Sequence, residues 1–422
     1  MKVFKFGGAS IKDVAAIRNM AEIVKKYGES PMVIVVSAMG KTTRNLEAYW
    51  EALGKKTNYD IALDKIIDFH IRIIEGLFDG NEKLIHQVRI LFEELAYIPM
   101  DKANPDKSYD QIISFGEILS STIISAFLNQ IGLTCQLLYA PDLICTDRRY
   151  RAGKVSWEET EKRIRMAVGE VDRAKMILTQ GFIGGSDNGE IITLGKEGSD
   201  YTSAIFASCL DAEEVTIWKD VPGILSADPK VISGAKQIHE LPYKEASEMT
   251  YYGASVIHPK TIKPLANHHI PLVVRSFDDP DREATLISTH EDVELAPSFI
   301  IKRNQCLFTF RVRDYTFVEH ENLARIFTVL HELDISINLL QSSAITISVC
   351  FDYHTEKINS LIDALSGQFS LHYNTSLTLL TIKNYDKESL VRYRPEPDSV
   401  IIQQITRANS RYLVDRVPHF IG

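Results

Sequence analysis

Three short stretches of this 422-residue chain gather glycines and lysines, the first two with hydroxyl side chains as well. They are Lys5-Phe6-Gly7-Gly8-Ala9-Ser10, Thr193-Leu194-Gly195-Lys196-Glu197-Gly198-Ser199-Asp200 and Trp218-Lys219-Asp220-Val221-Pro222-Gly223. In the first two, a predicted strand gives way to a predicted helix. Such a junction suits phosphate. Glycine lets backbone approach closely, a helix N-terminus offers unpaired N–H groups, and lysine neutralises charge. Lys5, with Gly7 and Gly8 beside it, is the candidate for a transferred phosphate; the plain alternative is a solvated lysine at a strand end. Ser37, Thr43 and Ser199 offer hydroxyls, although such residues at strand ends are often simple caps. Asp200 suits three roles: an N-cap, an orienter of the lysines, or a partner for a magnesium-bound water. The third stretch, continued to Asp228-Pro229, reads as a rigid loop after a strand.

The elements around these stretches follow from periodicity. Residues 2–6 read as a short buried strand, and Val14, Ile17, Met20, Ala21 and Val24 repeat at helical spacing between Asp13 and Gly28. Met32 to Val36 is an apolar run that suits a strand buried on both faces. Catalytic groups in open α/β sheets collect at such strand ends. Residues 45–98 are mostly helical, Asn104-Pro105-Asp106 reads as a turn, and a long helix is predicted from about Tyr109 to Ile131. Glu117 is a single charge in the apolar middle of that helix. Further strands are expected near 134–139, 176–180, 190–194, 214–218 and 272–274, with a helix near 157–168. Residues 276–297 turn acidic and lose periodicity, which reads as a linker. Beyond it the predicted order is β-α-β-β-α-β, the split unit of ferredoxin-like domains.

Composition sets outer bounds. A hydrophobic share of 45% with 24% charged residues fits a globular protein. The net charge of −9 argues against nucleic acid or an anionic membrane as partner. Cys135, Cys145, Cys209, Cys306 and Cys350 are scattered, with no C-x-x-C pair, so reduced core thiols are expected and no metal site is indicated. No targeting segment is visible, and no apolar run approaches the roughly 18 residues a membrane helix needs. The expected location is the cytoplasm.

Taken in order, the motifs resemble those of the aspartate kinase branch of the amino-acid kinase family. The resemblance covers nearly the whole chain. It rests on the KFGG start, Ser37 and Thr43, Phe115-Gly116-Glu117, Thr179-Gln180-Gly181-Phe182, Gly198-Ser199-Asp200, Asp220-Val221-Pro222-Gly223 and Gly253-Ala254 followed by His258-Pro259. It implies an α/β amino-acid-kinase-like open sheet with helices on both faces over 1–276. A linker at 277–298 and an α+β ferredoxin-like (ACT) region over 299–422 would follow. One ACT unit would be complete, at about 311–375, and a second shortened, at 299–310 plus 376–422. The implied reaction is phosphorylation of the L-aspartate side chain with ATP and Mg2+, the first step towards lysine, threonine and methionine. Lys5, Gly7, Gly8 and Asp200 would serve catalysis. Glu117 would receive the substrate ammonium and Lys196 its α-carboxylate, with Ser37, Thr43 and Ser199 beside them. Lys219, Asp220, Leu225, Lys230 and Ser255 would meet ATP. No direct metal ligand is assigned.

Some positions depart from the family pattern. The family's arginine before Gly-Gly-Ser-Asp is here Lys196, with Glu197 for a glycine, and Ser255 stands where a lysine is common. Lysine keeps the charge but loses the bidentate fork. These departures keep two alternatives open: a kinase for another amino acid in the same fold, and a non-catalytic amino-acid sensor. The ACT region implies an effector, lysine or threonine, near Asn338 and Ser342, and a homodimer built through that region. In the segment 335–351 the polar positions Ser336, Asn338, Gln341, Ser343 and Ser348 are expected to lie on an open face.

Overall fold

A computed structural model describes residues 1–28, 31–172, 176–232, 234–254, 257–313 and 317–416. The chain forms two compact units. The first is Met1–Ile224, Gln237–Ser247 and Ile257–Val293; the second is Leu225–Lys236, Glu248–Val256 and Glu294–Gly422.

The first unit is built on β1 (Lys2–Phe6), β2 (Met32–Val36), β3 (Cys135–Leu138), β4 (Met176–Gln180), β5 (Glu214–Lys219), β6 (Glu240–Pro242), β7 (Leu272–Ser276) and β8 (Thr285–Ser288). They lie in the order β6-β8-β7-β5-β1-β2-β4-β3. Only β7 and β8 pair antiparallel among the registered neighbours. The central β1 and β2 are covered on both faces: four of the five residues of β1 and all five of β2 are buried. That is why these strands read as unbroken apolar runs. Helix α1 (Val14–Tyr27) starts where the Asp13 carboxylate accepts from the Ala16 N–H at 2.8 Å, an N-cap that satisfies one of the helix's free donors.

Three expectations change here. The segment read as a linker holds β8, a working strand of the large sheet. The helix expected from Tyr109 begins earlier, as α2 (Pro105–Gln130), because Asn104 caps it and Pro105 takes the first helical position, where its missing N–H does no harm. This helix is long and apolar enough to cross a membrane, contrary to the reading that no such run exists. Its apolar character is explained by burial, since most of its length is enclosed within the unit.

The second unit contains β9 (Ser298–Val312), α3 (His320–Glu332), β10 (Ile337–Ser342), β11 (Thr346–Asp352), α4 (Thr355–Leu365), β12 (Phe369–Lys383), α5 (Lys387–Tyr393), β13 (Val400–Ile405) and β14 (Asn409–Val414). One six-stranded sheet runs β10-β11-β9-β12-β14-β13. The predicted break into separate strands near 310 and 375 is absent. β9 and β12 are continuous, and the pattern breaks because of register shifts around Asn304 and Ser376, both at positive φ. The half expected to be shortened also holds a helix, α5. Leu225–Lys236 belongs to this unit: Ala227 and Ile232 share a core with Phe299, Leu380, Ile382 and Tyr412, and the Phe299 N–H donates to the Ser226 carbonyl at 2.7 Å.

Candidate active site

The C-terminal ends of β1 and β2 converge on a cavity of about 540 Å³ in the first unit. Lys5, Gly8, Ser37, Thr43, Glu117, Lys196, Ser199 and Asp200 all line it. Gly8 is where the chain must come close. A Cβ there would stand 2.8 Å from the Ala38 carbonyl oxygen, and the Gly40 N–H already donates to the Gly8 carbonyl at 3.0 Å. Gly7 is a neighbour of the lysine, its Cβ position 3.4 Å from Lys5 Nζ.

Asp200 lies in the first turn of the helix Gly198–Cys209, where a carboxylate is favoured by the helix dipole. Its Oδ1 is 2.6 Å from Lys5 Nζ, and its Oδ2 is 3.9 Å from Lys219 Nζ. Burial pushes the Asp200 carboxyl up. The charges of Lys5 and Lys219 outweigh that and hold it below the usual carboxylate range. The result is a fixed anion that keeps two lysines at the ends of neighbouring strands.

Glu117 has a different environment. Gly116 lets α2 approach the 37–40 loop, since a Cβ there would be 2.8 Å from Ala38 Cβ. Glu117 Oε1 then accepts from the Ala38 N–H at 3.1 Å. Its Oε2 is buried without a partner. Burial raises this carboxyl to about 8, against a smaller opposing pull from the Ala38 bond and from Lys5. A buried carboxyl with one free oxygen beside an open cavity is a place for a cation that the protein does not supply.

Other residues in and beside the cavity escaped the sequence reading. Asp110, fully buried, accepts from the Arg151 N–H with both oxygens at 3.1 and 2.9 Å and from the Thr193 N–H and hydroxyl, each at 2.8 Å. It ties the Arg151 turn to the strand before Gly195. The Arg151 guanidinium lies 3.9 Å from the centroid of the Tyr109 ring and 3.2 Å from Asp106, and Arg151 lines the cavity. Tyr109 in turn donates to Glu47, which also lines it, at 2.8 Å. The visible signal was Asp110, an acid in an apolar helix like Glu117.

The departures from the family pattern have local explanations. Glu197 has φ of +54°, the left-handed region that favours glycine. Its carboxylate accepts from the His258 N–H at 3.0 Å, a bond that glycine could not make. Lys196 is exposed at the rim of the cavity. Among the remaining expected nucleotide contacts, Lys219 reaches Asp200, and Asp220 is exposed just after β5. Leu225 and Lys230 fall in the second unit, where the Lys230 N–H donates to Asp228 at 2.9 Å. Ser255 lies outside the described residues.

The effector expectation needs correction. Asn338 is buried rather than on an open face, because the register slips between Ile337 and Leu339. Its amide is engaged with Lys302 at 2.8 Å, Gln305 at 2.7 Å and Asp352 at 3.3 Å. Ser348 likewise bonds Thr309, at 2.9 Å. Ser342 is exposed.

Comparison with known proteins agrees with this geometry. The model of the amino acid kinase family matches residues 1–276. Lysine-sensitive aspartokinase 3 of Escherichia coli (strain K12) is 32% identical over 359 residues, covering 83% of this chain and 78% of its own length. Aspartokinase 1, chloroplastic, of Arabidopsis thaliana is 32% identical over 362 residues, covering 83% of this chain and 63% of its own. The crystal structure of E. coli aspartokinase III in complex with aspartate and ADP (R-state) superposes with a TM-score of 0.81 at 28% identity, over 98% of this chain and 96% of that one. Its complex with lysine and aspartate (T-state) gives a TM-score of 0.76 at the same identity and coverage. With the β1 and Gly198 motifs converging on one cavity, the chain belongs to the amino acid kinase family, on its aspartokinase branch.

Proposed function

We propose that this protein transfers the γ-phosphoryl group of ATP to the side-chain carboxylate of L-aspartate, giving 4-phospho-L-aspartate and ADP. The observation that carries this is the cavity in which Asp200 fixes Lys5 and Lys219 while Glu117 keeps a free buried oxygen. The substrate carboxylate is ionised at neutral pH and attacks phosphorus without a base. Catalysis is then positioning and charge neutralisation. Lys5 stabilises the charge on the transferred group, and Asp200 holds Lys5 and Lys219 in place for it. Glu117 takes the aspartate ammonium. Arg151 and Lys196, on the cavity wall, are the cations available for the α-carboxylate, and Ser37, Thr43 and Ser199 offer hydroxyls to it. The E. coli structure with aspartate and ADP supports the choice of substrate.

Among the described residues no group of three His, Cys, Asp or Glu side chains could hold a metal. Mg2+ fits as the ion carried on the ATP phosphates, which is how this cation usually binds with few protein ligands. Lys219, Asp220, Leu225, Lys230 and Ser255 are the proposed nucleotide contacts. For the second unit we propose an amino-acid effector, lysine or threonine, and a homodimer. An effector at Asn338 must displace Lys302 or Gln305, whereas exposed Ser342 is open to one. The outer carbonyls of Asn338 and Leu340 already accept from Arg411 and Gln404, each at 2.6 Å. Pairing two copies along β10 must therefore displace those side chains. The net charge of −9 supports a protein that binds neither nucleic acid nor membrane, and we place it in the cytoplasm.

The test is ATP turnover with L-aspartate, trapping the acyl phosphate as its hydroxamate. Turnover with another amino acid alone would move the assignment within the fold. ATP left intact by every amino acid would favour a sensor.

A further inference from the structure

A second cleft, of about 760 Å³, opens in the first unit among the helices Trp157–Gly169, Gly198–Cys209 and Pro259–Asn267. It shares no lining residue with the substrate cavity. Its charges are one-sided. Arg149 on its wall is paired with Asp147 at 2.7 Å, and Glu161 with Arg165 at 2.9 Å. Lys154, Lys260 and Lys263 line it as well, and none of them has a carboxylate within ion-pair distance among the described residues. Among the described residues the Lys260 ammonium donates to the Leu194 carbonyl, at 3.4 Å. The cleft thus presents three lysines that no carboxylate pairs among the described residues.

Asn267 and His268 add polar groups to the wall, and the rest of it is mostly apolar. Trp157 is 40% exposed, and its ring meets Tyr201 edge-on with centroids 6.4 Å apart. Core packing does not explain an indole left open in a cleft beside lysines, whereas a ring partner would cover it. The volume is that of an ordinary small-molecule site. The segment that carries the cleft is also held firmly: the Gly153 N–H donates to the Thr193 carbonyl at 2.9 Å, and Asp110 holds the Arg151 N–H. One short stretch thus presents Arg151 to the substrate cavity and Lys154, Val155 and Trp157 to this one.

We propose that this cleft binds a small organic anion bearing a flat ring. Its phosphate or carboxylate is held by Lys154 and Lys263, and its ring lies against Trp157 and Tyr201. Charge-assisted contacts supply the specificity for the anion, and the aromatic pair supplies the area. The site stands independently of the reaction proposed above, because no residue of it takes part in that chemistry.

Phenyl phosphate and benzoate, titrated separately into the full-length protein, test this through tryptophan fluorescence. Trp218 is buried and Trp50 packs on Tyr109 of the other cavity, so Trp157→Phe identifies the signal from the cleft. The expected result is saturable quenching that Trp157→Phe abolishes. Lys154→Gln with Lys263→Gln should weaken it about tenfold or more, the scale of losing charge-assisted contacts. The tighter of the two probes names the anionic group. Both lysines are exposed, so the double variant should fold and keep its turnover with ATP and aspartate. Quenching that never saturates, or that saturates at the same concentration in the double variant, would overturn the proposal.

Discussion

Each unit holds a polar cluster around buried side chains, and the clusters are completed differently. In the first, Lys5 and Asp200 are paired, but Glu117 Oε2 is buried with no partner. In the second, Lys302, Gln305, Asn338 and Asp352 close on one another, and Asp352 Oδ2 also meets Lys302 at 3.1 Å. Leaving a buried polar atom unpaired costs about 1–3 kcal/mol. A cluster that only holds a fold avoids that cost. One that receives a substrate bears it until the substrate arrives, and the missing partner has the charge of the ligand. The same contrast separates the two buried carboxyls of the cavity. Asp200, facing two lysines, is held below the usual range; Glu117, facing none as closely, is raised to about 8.

The sharpest break in this contrast is Lys5→Ala. It should cut turnover by about a hundredfold or more, the scale for removing a preorganised charge stabiliser. Steady-state kinetics read this directly, and an unchanged kcat would take Lys5 out of the chemistry. Because Asp200 would then keep only the more distant Lys219, thermal unfolding should be followed in the same variant. In the second unit, Asn338→Ala should leave kcat alone and destabilise by about 1–3 kcal/mol, since Lys302 and Gln305 lose a partner. A denaturant titration that shows no loss would mean that the network does not hold the sheet.

Next in size is the pH response of Glu117. An ordinary glutamate loses its proton near 4.5; Glu117 keeps its proton until about 8. The substrate ammonium favours the ionised form, so binding expels that proton. Aspartate affinity should rise by up to about tenfold per pH unit towards pH 8, then level off. Glu117→Gln should flatten the profile, and a profile identical to that of the parent protein would assign the titration to another group. The sign for folding is opposite. Because the folded carboxyl binds its proton more tightly than the unfolded one, its share of stability is full below about 4.5 and is lost as pH rises through about 8. The smallest effect is expected from Lys196→Arg, which should lower the aspartate KM by about two- to fivefold by restoring a planar fork. A large loss of activity would mean that Lys196 and Glu197 form a matched local arrangement instead.

Much of this cavity was legible because its residues sit where strands end. An apolar run followed by Gly7-Gly8, or by Ser37, locates a strand end without knowledge of neighbours. Glu117 was legible as a lone charge in an apolar helix. Asp110 carries the same signal, but Asn104-Pro105-Asp106 reads as a turn and hides the first turn of that helix. Arg151 gave no signal, because its position depends on Asp110 and Tyr109, some forty residues away in the chain. In the second unit, local pattern misleads for a related reason. A bulge at Asn304 or Ser376 interrupts side-chain alternation without ending the strand, so one long strand reads as two. The slip between Ile337 and Leu339 likewise puts Asn338 on the buried side.

The segment Leu225–Lys236 has a consequence for how this chain can be taken apart. Its apolar side chains, Ala227 and Ile232, rest on Phe299, Leu380 and Tyr412, more than sixty residues downstream. A protein cut before Phe299 would keep the segment and lose the surface on which it folds. Exchanging the C-terminal part for that of a relative, in order to alter its response to amino acids, would set a foreign surface under the same segment. The natural unit of exchange is therefore discontinuous: residues 225–236 and 248–256 must travel with everything after 293.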